Sequence, residues 1–67
     1  MKKYTIKELE EMTGDNIEEV MMDYIESCKR TSNYNMYDNV SYFMRENNLL
    51  NCERSKITDL MCQMWDN

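Results

Sequence analysis

The chain has 67 residues, of which 42% are apolar, and it contains no Pro, no His and a single Gly. This length predicts one small domain over residues 1–67, because chains below about 70 residues rarely form more than one marginal core. No run approaches the roughly 20 apolar residues that cross a bilayer, so we expect no membrane contact. Without His, and with one Gly, most catalytic and phosphate-binding arrangements are excluded, and we expect a protein that is not an enzyme and needs no cofactor.

The formal net charge of −5 is concentrated in one part of the chain. Residues 1–26 contain eight acidic and three basic side chains, whereas residues 27–67 contain five of each. No Lys or Arg lies between Lys7 and Lys29. We therefore expect no direct binding to nucleic acid or to an anionic membrane, since both require clustered Lys and Arg.

The cysteines Cys28, Cys52 and Cys62 are odd in number, and no apolar signal-peptide run opens the sequence. Both features favour reduced thiols and a cytoplasmic location. A structural zinc site would need a fourth ligand, and neither a His nor a C-x-x-C pair is present. We expect no metal site and thiols that pack in the core, with a Cys52–Cys62 disulfide left open as an alternative.

Two predicted helices begin with capping signals. Thr5-x-x-Glu8 fits a capping box, and Gly14 is suited to end this first helix in the left-handed conformation. The expected apolar stripe of the first helix consists of Ile6, Leu9 and Met12. Asp15 is the predicted cap of a second helix, which has the clearest helical spacing in the chain. Its expected buried face consists of Ile17, Val20, Met21, Tyr24, Ile25 and Cys28.

A polar stretch at 31–35 predicts a turn, followed by a third helix from about Asn35 to the pair 47–48. The stripe of the third helix consists of Tyr37, Val40, Phe43 and Met44, and we expect Leu49 and Leu50 to fold back on its end. A fourth helix is predicted from between Asn51 and Ser55 to about Trp65. Its stripe consists of Ile57, Leu60, Met61, Met64 and Trp65. No alternating strand pattern occurs, so the predicted fold is all-α, a compact bundle of three or four short helices.

Residues 4–14, Tyr-Thr-Ile-Lys-Glu-Leu-Glu-Glu-Met-Thr-Gly, resemble the opening helix and turn of a MerR-type helix-turn-helix. In that family a recognition helix rich in Arg, Lys, Ser and Thr follows, whereas this chain continues Asp15-Asn16-Ile17-Glu18-Glu19. Carboxylates in that position are repelled by phosphates. Either the pattern reflects ordinary helix capping, or it implies a helix-turn-helix-derived adaptor or transcriptional regulator that acts through protein contacts.

An acidic surface is predicted on the second helix. Glu18, Met22 and Glu26 are spaced by four residues on the side away from the apolar stripe, and Glu19 and Asp23 lie alongside. Side chains at this spacing are about 5–6 Å apart. Met22 is expected to be an exposed apolar anchor among carboxylates, as interfaces favour. A charged outer face is also typical of any solvated amphipathic helix.

Tyr and Asn account for six of the eleven residues in the segment 33–43, and both residue types are common in binding loops. Tyr34 and Tyr37 are therefore candidate interface anchors, although an AT-rich coding composition explains the same segment. Eight methionines are present. We expect five of them to fill the core, namely Met12, Met21, Met44, Met61 and Met64, and we expect Trp65 either to cover the core or to lie in a dimer contact.

In size and composition the chain resembles the small acidic proteins that bacteriophages and mobile elements encode, including anti-CRISPR proteins and other DNA mimics. This resemblance implies an inhibitor that occludes a basic nucleic-acid-binding surface on an enzyme or effector complex in the bacterial cytoplasm. The partner-binding residues are then expected to be Glu11, Glu18, Glu19, Met22, Asp23, Glu26, Tyr34 and Tyr37. Homodimerisation is compatible with both functions, because so small a core is marginal on its own.

Overall fold

Four helices follow one another in a computed structural model, which describes residues 3–14 and 16–66. They are α1 (Ile6–Thr13), α2 (Ile17–Arg30), α3 (Met36–Glu46) and α4 (Arg54–Trp65). The predicted all-α bundle is therefore confirmed. An isolated parallel bridge joins Tyr4 to Cys52 and ties the segment before α1 to the segment before α4.

α1, α2 and α3 begin where local side chains cap them, whereas the Glu53 side chain makes no cap hydrogen bond at the start of α4. The Thr5 hydroxyl accepts a hydrogen bond from the Glu8 N–H at 3.1 Å, and the Glu8 carboxylate accepts one from the Thr5 N–H at 3.2 Å, which confirms the capping box. At the start of α2 the cap is Asn16, whose side chain accepts from the Glu19 N–H at 3.1 Å. The prediction of Asp15 as this cap is corrected to its neighbour, and Asp15 itself lies outside the described residues. The third helix begins at the predicted place, and Asn35 is its cap, whose side chain accepts from the Asp38 N–H at 3.2 Å.

α1, α2 and α3 are each followed by a residue in the left-handed conformation, whereas Asp66 at the end of α4 is right-handed. Gly14 has a φ of 77° and donates its N–H to the Glu10 carbonyl at 2.8 Å, as its position at the helix end predicted. Ser32 and Asn48 each have a φ of 58°. Beyond Asn48 the Leu49 N–H returns to the Met44 carbonyl at 2.7 Å, which turns the Leu49 side chain into the core.

The core lies between α2, α3 and α4, each of which packs against the other two. It contains apolar residues from all four helices and from the α3–α4 connection: Leu9, Ile17, Met21, Ile25, Val40, Phe43, Met44, Leu49, Cys52, Ile57, Met61 and Met64. Leu60 and Trp65 are partly buried against this cluster. Four of the five methionines predicted for the core are buried in it. Within the described residues, no helix combines the length and the apolar content that crossing a membrane requires.

Four predicted core positions are exposed instead. Met12 is 63% exposed because α1 has two turns and rests on the bundle along the edge that contains Ile6 and Leu9. Leu50 is 62% exposed, since the turn that buries its neighbour directs successive side chains to opposite sides. Tyr37 is 70% exposed, and Val20 is 40% exposed.

The three cysteines are all free thiols. Cys28 and Cys52 are buried, in agreement with the prediction, and burial raises the pKa of the Cys52 thiol. Cys62 is exposed on α4, so the prediction of core packing is wrong for this thiol. The structure does not contain the alternative Cys52–Cys62 disulfide.

Candidate protein-binding surface

The outer side of α2 presents a group of exposed carboxylates, which we name the acidic face: Glu18, Glu19, Asp23 and Glu26. Asp23 lies four residues after Glu19 and three before Glu26, so these three side chains are neighbours on one side of the helix. Glu18 lies on the flank. Exposed Arg30, four residues beyond Glu26, bounds the acidic face at the end of the helix.

The carboxylates of the acidic face have no partner within the described part of the chain. None of the four accepts a hydrogen bond or forms an ion pair there. Glu8 and Glu10 differ, because their side chains accept from the backbone N–H groups of Thr5 and Ile17, at 3.2 and 2.7 Å. Glu8 and Glu10 therefore have structural roles, because they accept hydrogen bonds from backbone N–H groups at the starts of α1 and α2. The carboxylates of the acidic face remain available to a binding partner.

Met22 is not the exposed anchor that the sequence predicted. Its side chain is partly buried and packs against the core. Seven residues further along the same side of α2, the Lys29 ammonium donates to the Trp65 carbonyl at the end of α4, at 2.8 Å. The side of α2 that contains Met22 and Lys29 therefore faces α4. Because α4 packs there, the buried face of α2 includes Met22.

Val20 takes the place that Met22 was expected to occupy. It is 40% exposed, directly follows Glu19 and lies three residues before Asp23. Its side chain stands at a small slot of about 30 Å³ between α1, α2 and the end of α3. The helical spacing predicted Val20 in the core. Such spacing shows which side of a helix is apolar, but it does not show how much of that side the neighbouring helices cover.

Glu11, Tyr34 and Tyr37 do not join the acidic face. Glu11 is exposed on α1, and among the described residues no bond links it to α2. Tyr34 is 63% exposed in the α2–α3 connection, and its ring meets the edge of the Trp65 ring at a centroid distance of 6.2 Å. An interface role for these three residues stays a prediction.

Tyr37 contacts the first residue of α4. The Arg54 guanidinium lies 3.9 Å from the centroid of the Tyr37 ring and donates to the Ser41 hydroxyl at 2.8 Å and to the Tyr37 carbonyl. Tyr37 is nevertheless 70% exposed, so its predicted place in the apolar stripe of α3 is wrong. Its ring covers the guanidinium rather than the core.

A polar groove of about 530 Å³ runs between the second half of α2 and α3. The rings of Tyr24 and Tyr42 stack along it at 5.8 Å, and below them lies Asn39, which is 1% exposed. The Asn39 amide donates to the Asn33 carbonyl at 3.0 Å and accepts from the Tyr24 hydroxyl at 3.5 Å. The buried Asn39 amide therefore has hydrogen-bond partners for both its donor and its acceptor atoms. Its bond to Asn33 holds the α2–α3 connection against α3.

Two tyrosines of this groove have shifted acidities. Burial, with a further contribution from the Cys28 thiol, raises the pKa of Tyr24 above its ordinary value of 10.0. A hydrogen bond to the Glu46 carboxylate raises the pKa of Tyr42. A phenol is already protonated at neutral pH at its ordinary pKa of 10.0, and the raised pKa values of Tyr24 and Tyr42 extend this protonated range to higher pH.

Within residues 3–14 and 16–66, no group of three or more Cys, Asp or Glu side chains is arranged to hold a metal ion. No protein-family model, curated protein or solved structure matches this chain. Its function is therefore inferred from the geometry of the surface itself.

Proposed function

We propose that the protein is an inhibitor that binds, through the acidic face of α2, a basic nucleic-acid-binding surface on another protein. The observation that supports this function is the row of outward carboxylates on one helix, none of which has a partner among the described residues. Together with the charge of −5, this row makes the protein a ligand for clustered Lys and Arg.

The spacing of the acidic face suits this function. Neighbouring carboxylates along a helix are about 5–6 Å apart and form a regular row of negative charge. Basic channels that bind nucleic acid recognise such a row in the phosphate backbone, and they do so largely independently of base sequence. Occupation of the channel by the acidic face would exclude the nucleic acid by repulsion and by steric overlap.

The helix-turn-helix alternative is weakened by the same surface. α1, the turn at Gly14 and α2 occur in the order that the MerR-type resemblance implies. The outer side of α2, where a recognition helix would present Lys and Arg, instead presents Glu19, Asp23 and Glu26. Phosphates repel these carboxylates, so direct DNA binding is disfavoured, and an adaptor would have to use the acidic face for protein contacts as well.

The resemblance in size and composition to anti-CRISPR proteins suggests where the target should be sought. We propose a nucleic-acid-binding effector complex or enzyme of the bacterial cytoplasm. Basic channels on such proteins would attract the acidic face over a distance of about 10 Å at 0.1 M salt, and higher salt would screen this attraction.

The test begins with affinity capture from bacterial lysate at low and high salt. Each captured protein is then purified, and its binding to labelled nucleic acid is measured by fluorescence anisotropy with and without the inhibitor. We expect inhibition that weakens as salt rises. The double variant Asp23→Lys/Glu26→Lys should inhibit at least tenfold less, corresponding to a loss of about 1.4 kcal/mol of binding free energy.

A matched control makes the same change in net charge elsewhere. Asp59 and Asp66 are exposed at α4, away from the acidic face. Asp59→Lys/Asp66→Lys should retain most of the inhibition if the position of the charge matters. Equal losses in the two double variants would show that net charge alone acts, and full inhibition by Asp23→Lys/Glu26→Lys would refute the proposed function.

A further inference from the structure

The slot beside Val20 opens the apolar core to the surface. Its apolar lining residues are Leu9 of α1, Ile17 of α2, Phe43 of α3 and Leu49 of the α3–α4 connection, and its polar lining residues are Thr13, Asn47 and Asn48. Its volume is about 30 Å³. It therefore admits the tip of one side chain rather than a whole small molecule.

Two of the polar lining residues make little demand for a polar ligand. The Thr13 hydroxyl donates to the Leu9 carbonyl at 2.8 Å, and the Asn47 amide donates to the Phe43 carbonyl at 3.0 Å. Both donors are thus engaged by their own helices. Met12, three residues after Leu9 and 63% exposed, extends the apolar surface along α1. An apolar group placed at Val20 would be removed from water on several sides.

The slot also borders the acidic face. Glu19 immediately precedes Val20, and Asp23 lies one helical turn after it, so the acidic face begins beside Val20 on the surface of α2. This juxtaposition fits an apolar side chain that has Lys or Arg close to it in its own chain. A second copy of this protein fits poorly, because its net charge of −5 would meet the same carboxylates.

We propose that the slot seats one apolar side chain of a basic amphipathic helix in the partner protein, while the acidic face binds Lys and Arg one turn to either side. This inference rests on the proposed function and adds a helical, basic target segment with an apolar centre. Attraction between the carboxylates and the Lys and Arg side chains favours association of the two surfaces. The apolar side chain in the slot then fixes the position of the partner helix along α2.

Two labelled helical peptides test the inference. They carry the same number and positions of Lys and differ at one central position, which is Leu in the first and Asn in the second. Binding to the full chain is measured by fluorescence anisotropy at low and high salt. We expect the Leu peptide to bind about tenfold more tightly, as burial of one apolar side chain allows.

Variants of the slot locate this preference. Val20→Asn should reduce the difference between the peptides while the weaker, salt-dependent binding persists. Val20→Thr, which keeps the shape of the side chain, should give an intermediate result, and exposed Cys62→Ser on α4 should leave the difference unchanged. Circular dichroism establishes that each variant is folded.

The outcomes separate this inference from the proposed function. Equal binding of the two peptides, or a Leu preference that Val20→Asn leaves intact, overturns the slot proposal even where Asp23→Lys/Glu26→Lys abolishes inhibition. If that charge reversal leaves the affinity for both peptides unchanged, the role of the acidic face is refuted and the slot proposal is not. Sedimentation velocity completes the test, since a dimer that Val20→Asn abolishes would make a second copy the occupant.

Discussion

The two parts of the chain use their charged side chains differently. In residues 3–26 the carboxylates of the acidic face point outward without partners among the described residues. In residues 27–66 basic side chains hold structural elements together, as Arg54 does at the start of α4 and as Lys29 does where it meets Trp65. The charges of Arg54 and Lys29 thus support the fold, whereas the charges of the acidic face are available for binding.

The difference has a physical basis in exposure and geometry. Arg54 is half-buried, and its fixed planar donor group satisfies two acceptors while its face lies on the Tyr37 ring. An exposed carboxylate with no partner gains no such bonds and remains hydrated. Removing the first kind of charge should destabilise the fold, whereas removing the second kind should leave stability nearly unchanged.

The largest effect on stability is expected from Arg54→Ala. The change removes donors to the Ser41 hydroxyl and the Tyr37 carbonyl, and hydrogen bonds to charged groups contribute about 1.5–3 kcal/mol. We expect the free energy of unfolding to fall by about 2 kcal/mol, measured with urea at pH 7. Arg54→Lys should recover only part of this loss, because an ammonium group cannot reproduce the planar contact.

Arg45 provides the control for this prediction. Its guanidinium lies 6.0 Å from the Tyr42 ring and is exposed, so Arg45→Ala should cost less than about 1 kcal/mol. Equal losses for the two Arg variants would mean that the Arg54 contacts contribute nothing beyond ordinary surface charge.

A smaller effect is expected from Lys29→Ala. Lys29 donates to the Trp65 carbonyl at 2.8 Å and lies 5.7 Å from the indole ring, but it is exposed to solvent. A loss of about 0.5–1 kcal/mol is expected, together with a change in Trp65 fluorescence as the end of α4 loosens. Arg30→Ala, next to it and without such a contact, should change neither quantity.

The stability of the fold should fall at alkaline pH, because two of its groups have raised pKa values. Burial raises the pKa of Tyr24 and of Cys52 above their ordinary values of 10.0 and 9.0. The unfolded chain therefore releases these protons first, so stability is complete below about pH 9 and falls as pH rises further. Urea midpoints between pH 7 and 10.5 should decline, and Tyr24→Phe should make the decline shallower. A decline of the same steepness in this variant would exclude Tyr24 as a source.

Local features of this fold were predictable from the sequence, because neighbours in the chain determine them. The capping pair Thr5 and Glu8, the left-handed Gly14 and the start of α3 near Asn35 depend on a few consecutive residues, and the structure has all of them as predicted. The helical periodicity likewise located most of the core.

The candidate site was predictable only in part, because packing between helices decides it. The sequence identified the carboxylates of α2, yet it exchanged the roles of Met22 and Val20. Periodicity gives the direction of the apolar side of a helix, whereas the width of the buried face depends on where α4 and α3 lie. The slot beside Val20 combines residues from three helices, and no spacing within one helix could indicate it.

The smallest change in stability, and the sharpest test of the comparison, is expected from neutralising the acidic face. Glu19→Gln/Asp23→Asn/Glu26→Gln removes three charges that lack partners among the described residues, so the free energy of unfolding should change by less than about 0.5 kcal/mol. Relief of repulsion between neighbouring carboxylates favours a small gain over a small loss. The measurement is urea unfolding at low and at high salt, because salt should remove any gain by screening the charges in the unmodified protein. A loss as large as that of Arg54→Ala would instead mean that the acidic face supports the fold, and the distinction between the two parts of the chain would not hold.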